Sequence, residues 1–267
     1  MSIESLQVIE SDSAIEIDTG PLTVSLLRSR FNLFHNVRLH GVTVIPSMSS
    51  AGFVVMTPKR KHFASVRDAD CEVSVSEKSD DQVTVVGRGR HCAMPGGTGS
   101  LLAWAVRLTV GRGASHAVVE YEAVNDETNE VGVRGIGYAF RAAIGAVDKG
   151  LIWTAEGEFP LPDEGRELLY EEPVARPSPN WICWRGPRGG LAIAIKEMGR
   201  KAPKALRVRP SGYSIGFLPE RAMDGAVGGA VTLQPGEAIR DTALFYFVGP
   251  TTQRQQVADD IQSICPS

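Results

Sequence analysis

The stretch from Leu101 to Ile144 constrains the fold most strongly, because apolar and polar residues alternate in it over three successive segments. Successive side chains of a β-strand point to opposite faces, so a period of two predicts strands with one buried side. Gly111-Arg112-Gly113 and Asp126-Glu127-Thr128-Asn129 supply the polar turns between three antiparallel strands. The residues predicted to lie in the core are Trp104, Val106, Leu108, Val119, Tyr121, Ile136, Tyr138 and Phe140.

Short alternating runs recur from Leu6 to Phe247, separated by turn residues. Three strands with one apolar face need an opposing sheet to cover that face. The sequence therefore predicts an all-β protein, a large two-sheet antiparallel β-sandwich of the super-sandwich type, over residues 1–250. Prolines between Phe159 and Pro179 predict a long surface loop. Val257, Ile261 and Ile264 follow a helical spacing, which predicts a short amphipathic helix in a C-terminal tail of residues 251–267.

Composition argues against several classes of partner. The 28 basic and 31 acidic residues are interspersed and leave a formal charge of −3, so neither nucleic acid nor a membrane is an expected partner. No run approaches the roughly 18 to 20 apolar residues that span a bilayer. The N-terminus has no basic start followed by an apolar segment, and we expect a cytoplasmic protein.

No cofactor or metal is expected either. The four cysteines, at positions 71, 92, 183 and 265, form no C-x-x-C pair, so they are interpreted as reduced thiols rather than as a zinc site. The glycine-rich loop Met94–Ser100 lacks the Lys-Ser/Thr of a phosphate loop. Lys59-Arg60-Lys61-His62 is the only compact basic cluster, and we interpret it as a solvated turn that attracts anions weakly.

The most specific motifs lie between Trp181 and Pro219. An apolar strand at Gly190–Ile195 precedes a charged bend at Lys196–Leu206, which contains Pro203-Lys204-Ala205-Leu206, and a strand at Tyr213–Pro219 ends in Leu-Pro. This order resembles the central β-sandwich domain of the exo-rhamnogalacturonan lyase family. The resemblance extends to Ile17–Gly20, Val118–Phe140, Gly236–Ala238 and Leu244–Phe247.

The resemblance implies a carbohydrate-active protein related to polysaccharide lyases, with an acidic, rhamnose-containing oligosaccharide or polysaccharide as its partner. Those lyases look like three-part proteins, in which an N-terminal small barrel and a C-terminal α/α-toroid flank the sandwich and the toroid shares in forming the cleft. Here the chain begins at the sandwich and ends where the toroid would start. We therefore expect an excised domain, or a sandwich that works alone or with a separate toroid chain.

β-Elimination of a uronic acid needs a cation to neutralise the carboxylate, a base to take the C5 proton and an acid for the leaving oxygen. The sequence does not assign the catalytic residues. Trp181 and Trp184 are candidate flat faces for sugar rings, although tryptophans in sandwiches usually fill cores. Within the charged bend, Arg200 to Lys204 is the favoured binding element. The polar candidates for substrate binding are Arg90, His91, Arg134, Arg200, Lys201 and Lys204.

Two alternatives belong to other functional classes. The first is a non-catalytic carbohydrate-binding or structural module. The second is a mutarotase-like sugar epimerase, whose fold is built from comparable long strands. The two active histidines and the glutamate of such epimerases have no matching motif around His91 or His116.

Overall fold

The protein is described by a computed structural model covering residues 6–145, 150–174, 181–220 and 230–265. A small sheet comes first in the chain and comprises β1 (Gln7–Glu10), β2 (Ala14–Asp18), β3 (Leu22–Leu27), β4 (Asn36–Leu39) and β5 (Val42–Ile45). The remaining elements are β6 (Ser50–Met56), β7 (His62–Ala64), β8 (Glu72–Lys78), β9 (Gln82–Ala93), β10 (Ser100–Gly111), β11 (His116–Val124), β12 (Val131–Val133), β13 (Gly135–Phe140), β14 (Leu151–Thr154), β15 (Gly157–Pro160), β16 (Arg166–Tyr170), β17 (Trp181–Gly186), β18 (Gly189–Ile195), β19 (Lys204–Arg209), β20 (Gly212–Leu218), β21 (Val231–Leu233), β22 (Ala238–Val248) and α1 (Arg254–Ile264).

The main body is a 15-stranded sheet that folds back on itself. Its first layer has the order β15-β14-β17-β18-β22-β11-β10-β9, with β8 paired to β9, and its second layer has the order β6-β13-β20-β19-β16. The short strand β7 joins the two layers, and every strand pair in the described ranges is antiparallel. The prediction of an all-β antiparallel sandwich is confirmed.

The core lies between the two layers, where inward side chains of both interdigitate. Tyr121 of β11 stacks against both Phe53 of β6 and Phe217 of β20, with ring centroids 4.2 and 5.0 Å away. Aromatic stacking of this kind stabilises the fold by more than the burial of apolar area alone. All eight residues predicted for the core are buried, so the predicted faces of these strands are right.

The partner of the third predicted strand differs from the expectation. β13 pairs with β6 and β20 in the second layer, not with β11. Alternation determines which side chains of a strand share a face, but it does not determine the neighbouring strand. The expected loop after Phe159 is also partly wrong, because it contains β16, which pairs with β19 at the sheet edge. Residues 175–180 of that loop lie outside the described residues.

Helix α1 packs on the outer face of the first layer. Its buried residues Val257 and Ile261 join a second apolar cluster with Trp153, Trp181 and Leu244 of the sheet. This cluster removes part of the outer face of the first layer from solvent. No helix in the described ranges is long and apolar enough to cross a membrane.

Candidate functional site

A groove crosses the outer face of the second layer and has a floor of small residues. Because Tyr138 and Ile215 point into the core, the residues that alternate with them, among them Gly137 and Gly216, face outward. A Cβ atom on Gly137 would lie 2.7 Å from the carbonyl oxygen of Ile215, which only glycine avoids. Glycine at such a position often marks a place where a ligand can approach the backbone closely. The cavity above this floor has a volume of about 490 Å³, within the range of ligand sites.

One wall of the groove carries a carboxylate between two arginines. Glu220, after β20, lies 2.9 Å from Nε of Arg134 and 3.7 Å from a terminal nitrogen of Arg60. His62 and Met56 line the same side. The basic cluster Lys59–His62 is exposed, as expected for a solvated turn, and its His62 lines the groove. Of these three groups Glu220 lines the cavity, and the two arginines contact it through Glu220.

The opposite wall comes from β16 and β19. Glu167 and Arg207 are direct cross-strand neighbours, and their side chains form an ion pair of 2.9 Å. Both line the cavity, beside the small side chain of Ala205. Ion pairs on both sides of a small, partly apolar floor suit a ring with hydroxyl and carboxylate groups, because guanidinium groups bind carboxylates in fork geometry. His62 is the histidine that lines this cavity, and an imidazole is a usual group for proton transfer.

Comparison with known proteins identifies the family. Residues 6–148, more than half of the chain, match the PcRGLX-like protein central beta sandwich domain. The chain belongs to this family. The match includes the segments Ile17–Gly20 and Val118–Phe140 on which the resemblance partly depends, and it ends before the motifs from Trp181 to Pro219. No curated protein matches the sequence.

Solved structures share the fold of this PcRGLX-like sandwich at low sequence identity. A galactose mutarotase-like protein from Clostridium acetobutylicum is 10% identical, with a TM-score of 0.61 over 92% of this chain and 99% of the other. Galactose 1-epimerase from Lactobacillus acidophilus NCFM is 12% identical, with a TM-score of 0.60 over 93% of this chain and 100% of the other. At this identity the likeness establishes the fold alone.

The structure of the PcRGLX-like sandwich separates the predicted binding residues. Arg134 lies beside the groove and pairs with Glu220. Arg90 lies on the outer face of the first layer, where its guanidinium pairs with Asp126 and Glu127 and donates to the hydroxyl of Ser100. Arg134 is therefore linked to the groove through Glu220, whereas Arg90 connects the end of the β9–β10 pair to the loop after β11.

The two tryptophans of β17 are buried on opposite faces of the first layer. Trp184 points into the core and is 2% exposed, whereas Trp181 lies in the cluster under α1 and is 3% exposed. Neither ring presents a face to solvent in this structure, so the expected sugar-stacking role has no geometric support. Both tryptophans are buried because both faces of β17 are covered, one by the second layer and one by helix α1.

His91 also points into the core. Its Nδ1 lies 3.0 Å from the carbonyl oxygen of Leu102, and its Nε2 lies 3.0 Å from the hydroxyl of Tyr121. Burial lowers the pKa of His91 to about 4, since a charged ring is poorly solvated there. The imidazole is neutral at neutral pH and links β9 to β11, away from the groove.

The charged bend does not bring its cations together. Lys204 enters the core, where its side chain is 8% exposed, and its Nζ donates a hydrogen bond of 2.5 Å to the carbonyl of Phe217. Arg200 and Lys201 remain at the surface and lie 4.0 and 3.4 Å from Glu197. Lys204 is buried because it shares the inward face of β19 with Leu206 and Val208. A binding role for Arg200 and Lys201 stays a prediction.

Most of the residues that line the groove are not predicted from the sequence. Glu167 and Arg207 meet only because β16 pairs with β19, and Glu220 reaches Arg134 across two strands. The local sequence feature that falls at the groove is the basic cluster containing Arg60 and His62. Among the residues that the structure describes, no group of three or more His, Cys, Asp or Glu side chains could hold a metal ion.

Proposed function

We propose that this PcRGLX-like sandwich binds an acidic, rhamnose-containing oligosaccharide or polysaccharide in the groove on its second layer. The observation that carries the proposal is the glycine-lined floor between the Arg207–Glu167 pair on one side and Glu220, which pairs with Arg134, on the other. Membership of the family supports a carbohydrate ligand. A substrate carboxylate would lie beside Arg207, and the apolar floor would contact the C–H face of a sugar.

The same geometry supports a role in β-elimination. Arg207 would neutralise the uronate carboxylate and so acidify the C5 proton, and His62, which lines the same cavity, would accept or donate a proton. The groove is open to water, and a separate α/α-toroid chain would close it and complete the set of acid and base. The sandwich alone is then expected to bind oligosaccharide and to cleave it slowly or not at all.

Arg207→Gln tests the groove. This change removes the guanidinium but keeps a polar side chain, and we expect affinity for rhamnogalacturonan oligosaccharides, measured by titration calorimetry, to fall by about tenfold, the value of one charge-assisted contact. Arg112→Gln is the matched control, because Arg112 forms a 2.6 Å ion pair with Asp81 at the surface, outside the cavity. Equal affinity losses in both variants, or no binding by the parent protein, would refute the proposal.

A sugar epimerase is the second candidate. It is supported by the fold shared with a galactose mutarotase-like protein and by the presence of His62, Glu167 and Glu220 in one groove. Polarimetry of freshly dissolved galactose separates the candidates. An acceleration that His62→Gln abolishes favours the epimerase, whereas an unsaturated uronate product favours the lyase. Binding without turnover in either assay, unchanged by His62→Gln, identifies a binding module.

A further inference from the structure

A second cavity adjoins the groove and contains two arginines. Its volume is about 340 Å³, and it shares Ala139 and Ser214 with the groove floor. Ala139 and Ser214 are ladder partners on β13 and β20, so the two cavities lie along one pair of strands. Arg141 and Arg209 line the second cavity together with hydroxyl groups. We call this cavity the arginine lobe; its polar residues are Arg141, Arg209, Ser49, Ser211 and Ser214.

The fold brings the two arginines together at Gly212. This residue begins β20 and pairs with Arg209 of β19, while the next residue pairs with Phe140 of β13. A Cβ atom on Gly212 would lie 2.1 Å from the carbonyl oxygen of Phe140 and 2.8 Å from Cα of Arg141, and its φ is +145°. Glycine at this position therefore lets the end of β13 approach β20 closely, while the end of β19 pairs with β20 on its other side.

The arginine lobe has a surplus of positive charge. No residue in the described ranges forms an ion pair or a side-chain hydrogen bond with Arg141 or Arg209, and no carboxylate lines the cavity. By contrast, Arg134 and Arg207 at the groove each have a glutamate partner. The hydroxyl oxygen of Ser49 is buried without a hydrogen-bond partner in the lobe wall. Two like charges without a counterion favour binding of an anion that interacts with both.

We infer that the arginine lobe binds the carboxylate of a second uronate, so that one acidic oligosaccharide occupies the groove and the lobe together. Two guanidinium groups and several hydroxyls match a planar carboxylate, which accepts several hydrogen bonds at once. This inference rests on the proposed function, because it takes the first uronate to lie in the groove. It adds that the site distinguishes oligosaccharides by the number of uronate units that they contain.

The test compares two probes, a rhamnogalacturonan disaccharide with one uronate and a tetrasaccharide with two. In the variant Arg141→Gln/Arg209→Gln we expect affinity for the tetrasaccharide to fall by about tenfold or more, with a weaker dependence on salt. Affinity for the disaccharide should stay unchanged, because the groove is intact. Both arginines are exposed and without an ion pair, so the melting temperature should change little.

Arg188→Gln is the matched control, because Arg188 is an exposed arginine in the β17–β18 turn, outside both cavities, and should leave both affinities unchanged. A tetrasaccharide whose carboxyl groups have been reduced should bind parent and double variant equally. If the double variant binds the tetrasaccharide like the parent while Arg207→Gln weakens it, the lobe inference is wrong and the groove stands. If the parent binds neither probe, both proposals are wrong.

Discussion

Replacing Lys204 by methionine should destabilise the fold through a charge left without its partner. Nζ of Lys204 lies 3.1 Å from Oδ2 of Asp241, whose side chain is fully buried. The ion pair with Lys204 compensates this buried negative charge. Removing one member of such a pair typically costs about 3 to 5 kcal/mol, and we expect a loss of that order in the free energy of unfolding.

The loss should depend on pH with a definite sign. Burial raises the pKa of Asp241, and Lys204 opposes that shift. In Lys204→Met the opposing charge is gone, so the carboxyl group takes up a proton at a higher pH in the folded state than in the unfolded state. The folded variant then binds more protons as pH falls, and its unfolding free energy recovers relative to the parent in acid. The destabilisation is therefore expected to be larger at pH 7 than at pH 5.

Urea denaturation of a double-mutant cycle measures this effect. The cycle comprises Lys204→Met, Asp241→Leu and the double variant, in which both charges are removed, so its stability should lie close to that of the parent. Arg200→Met is the control, because Arg200 is at the surface of the same bend. A loss below about 0.5 kcal/mol for Lys204→Met, the level of a surface change, or a loss independent of pH, would refute the argument.

Two further predictions concern the core. Leu108→Ala should lower the unfolding free energy by about 2 to 5 kcal/mol, because Leu108 is buried between the layers; a loss below about 0.5 kcal/mol would contradict the strand register. As pH falls from 6.5 to about 4, the parent should lose about 3 kcal/mol through His91, since the unfolded chain protonates this ring more readily than the fold does. His91→Gln should remove that part of the pH dependence in denaturation curves, and an unchanged slope would contradict it.

Several residues illustrate what a local pattern can predict about the site. Lys204 alternates with Leu206 and Val208 on β19, and this pattern already indicates an inward lysine. A lysine in that position needs a carboxylate partner, but nothing near it in sequence points to Asp241. The sequence predicts Arg134 as a cation that binds substrate. Its contact with Glu220 arises only because the start of β13 lies beside the end of β20.

The sequence by itself determined the class of fold, the C-terminal helix and the inward faces of β10, β11 and β13. These properties depend on the period of apolar residues along one segment, which is a local signal. The tertiary structure decided which layer each strand joins, as β13 shows, and which cations come together. Strand pairing between distant segments joins Arg207 to Glu167 and places Arg141 and Arg209 around one cavity. Such pairing reflects the packing of the whole core, and no single stretch of the chain encodes it.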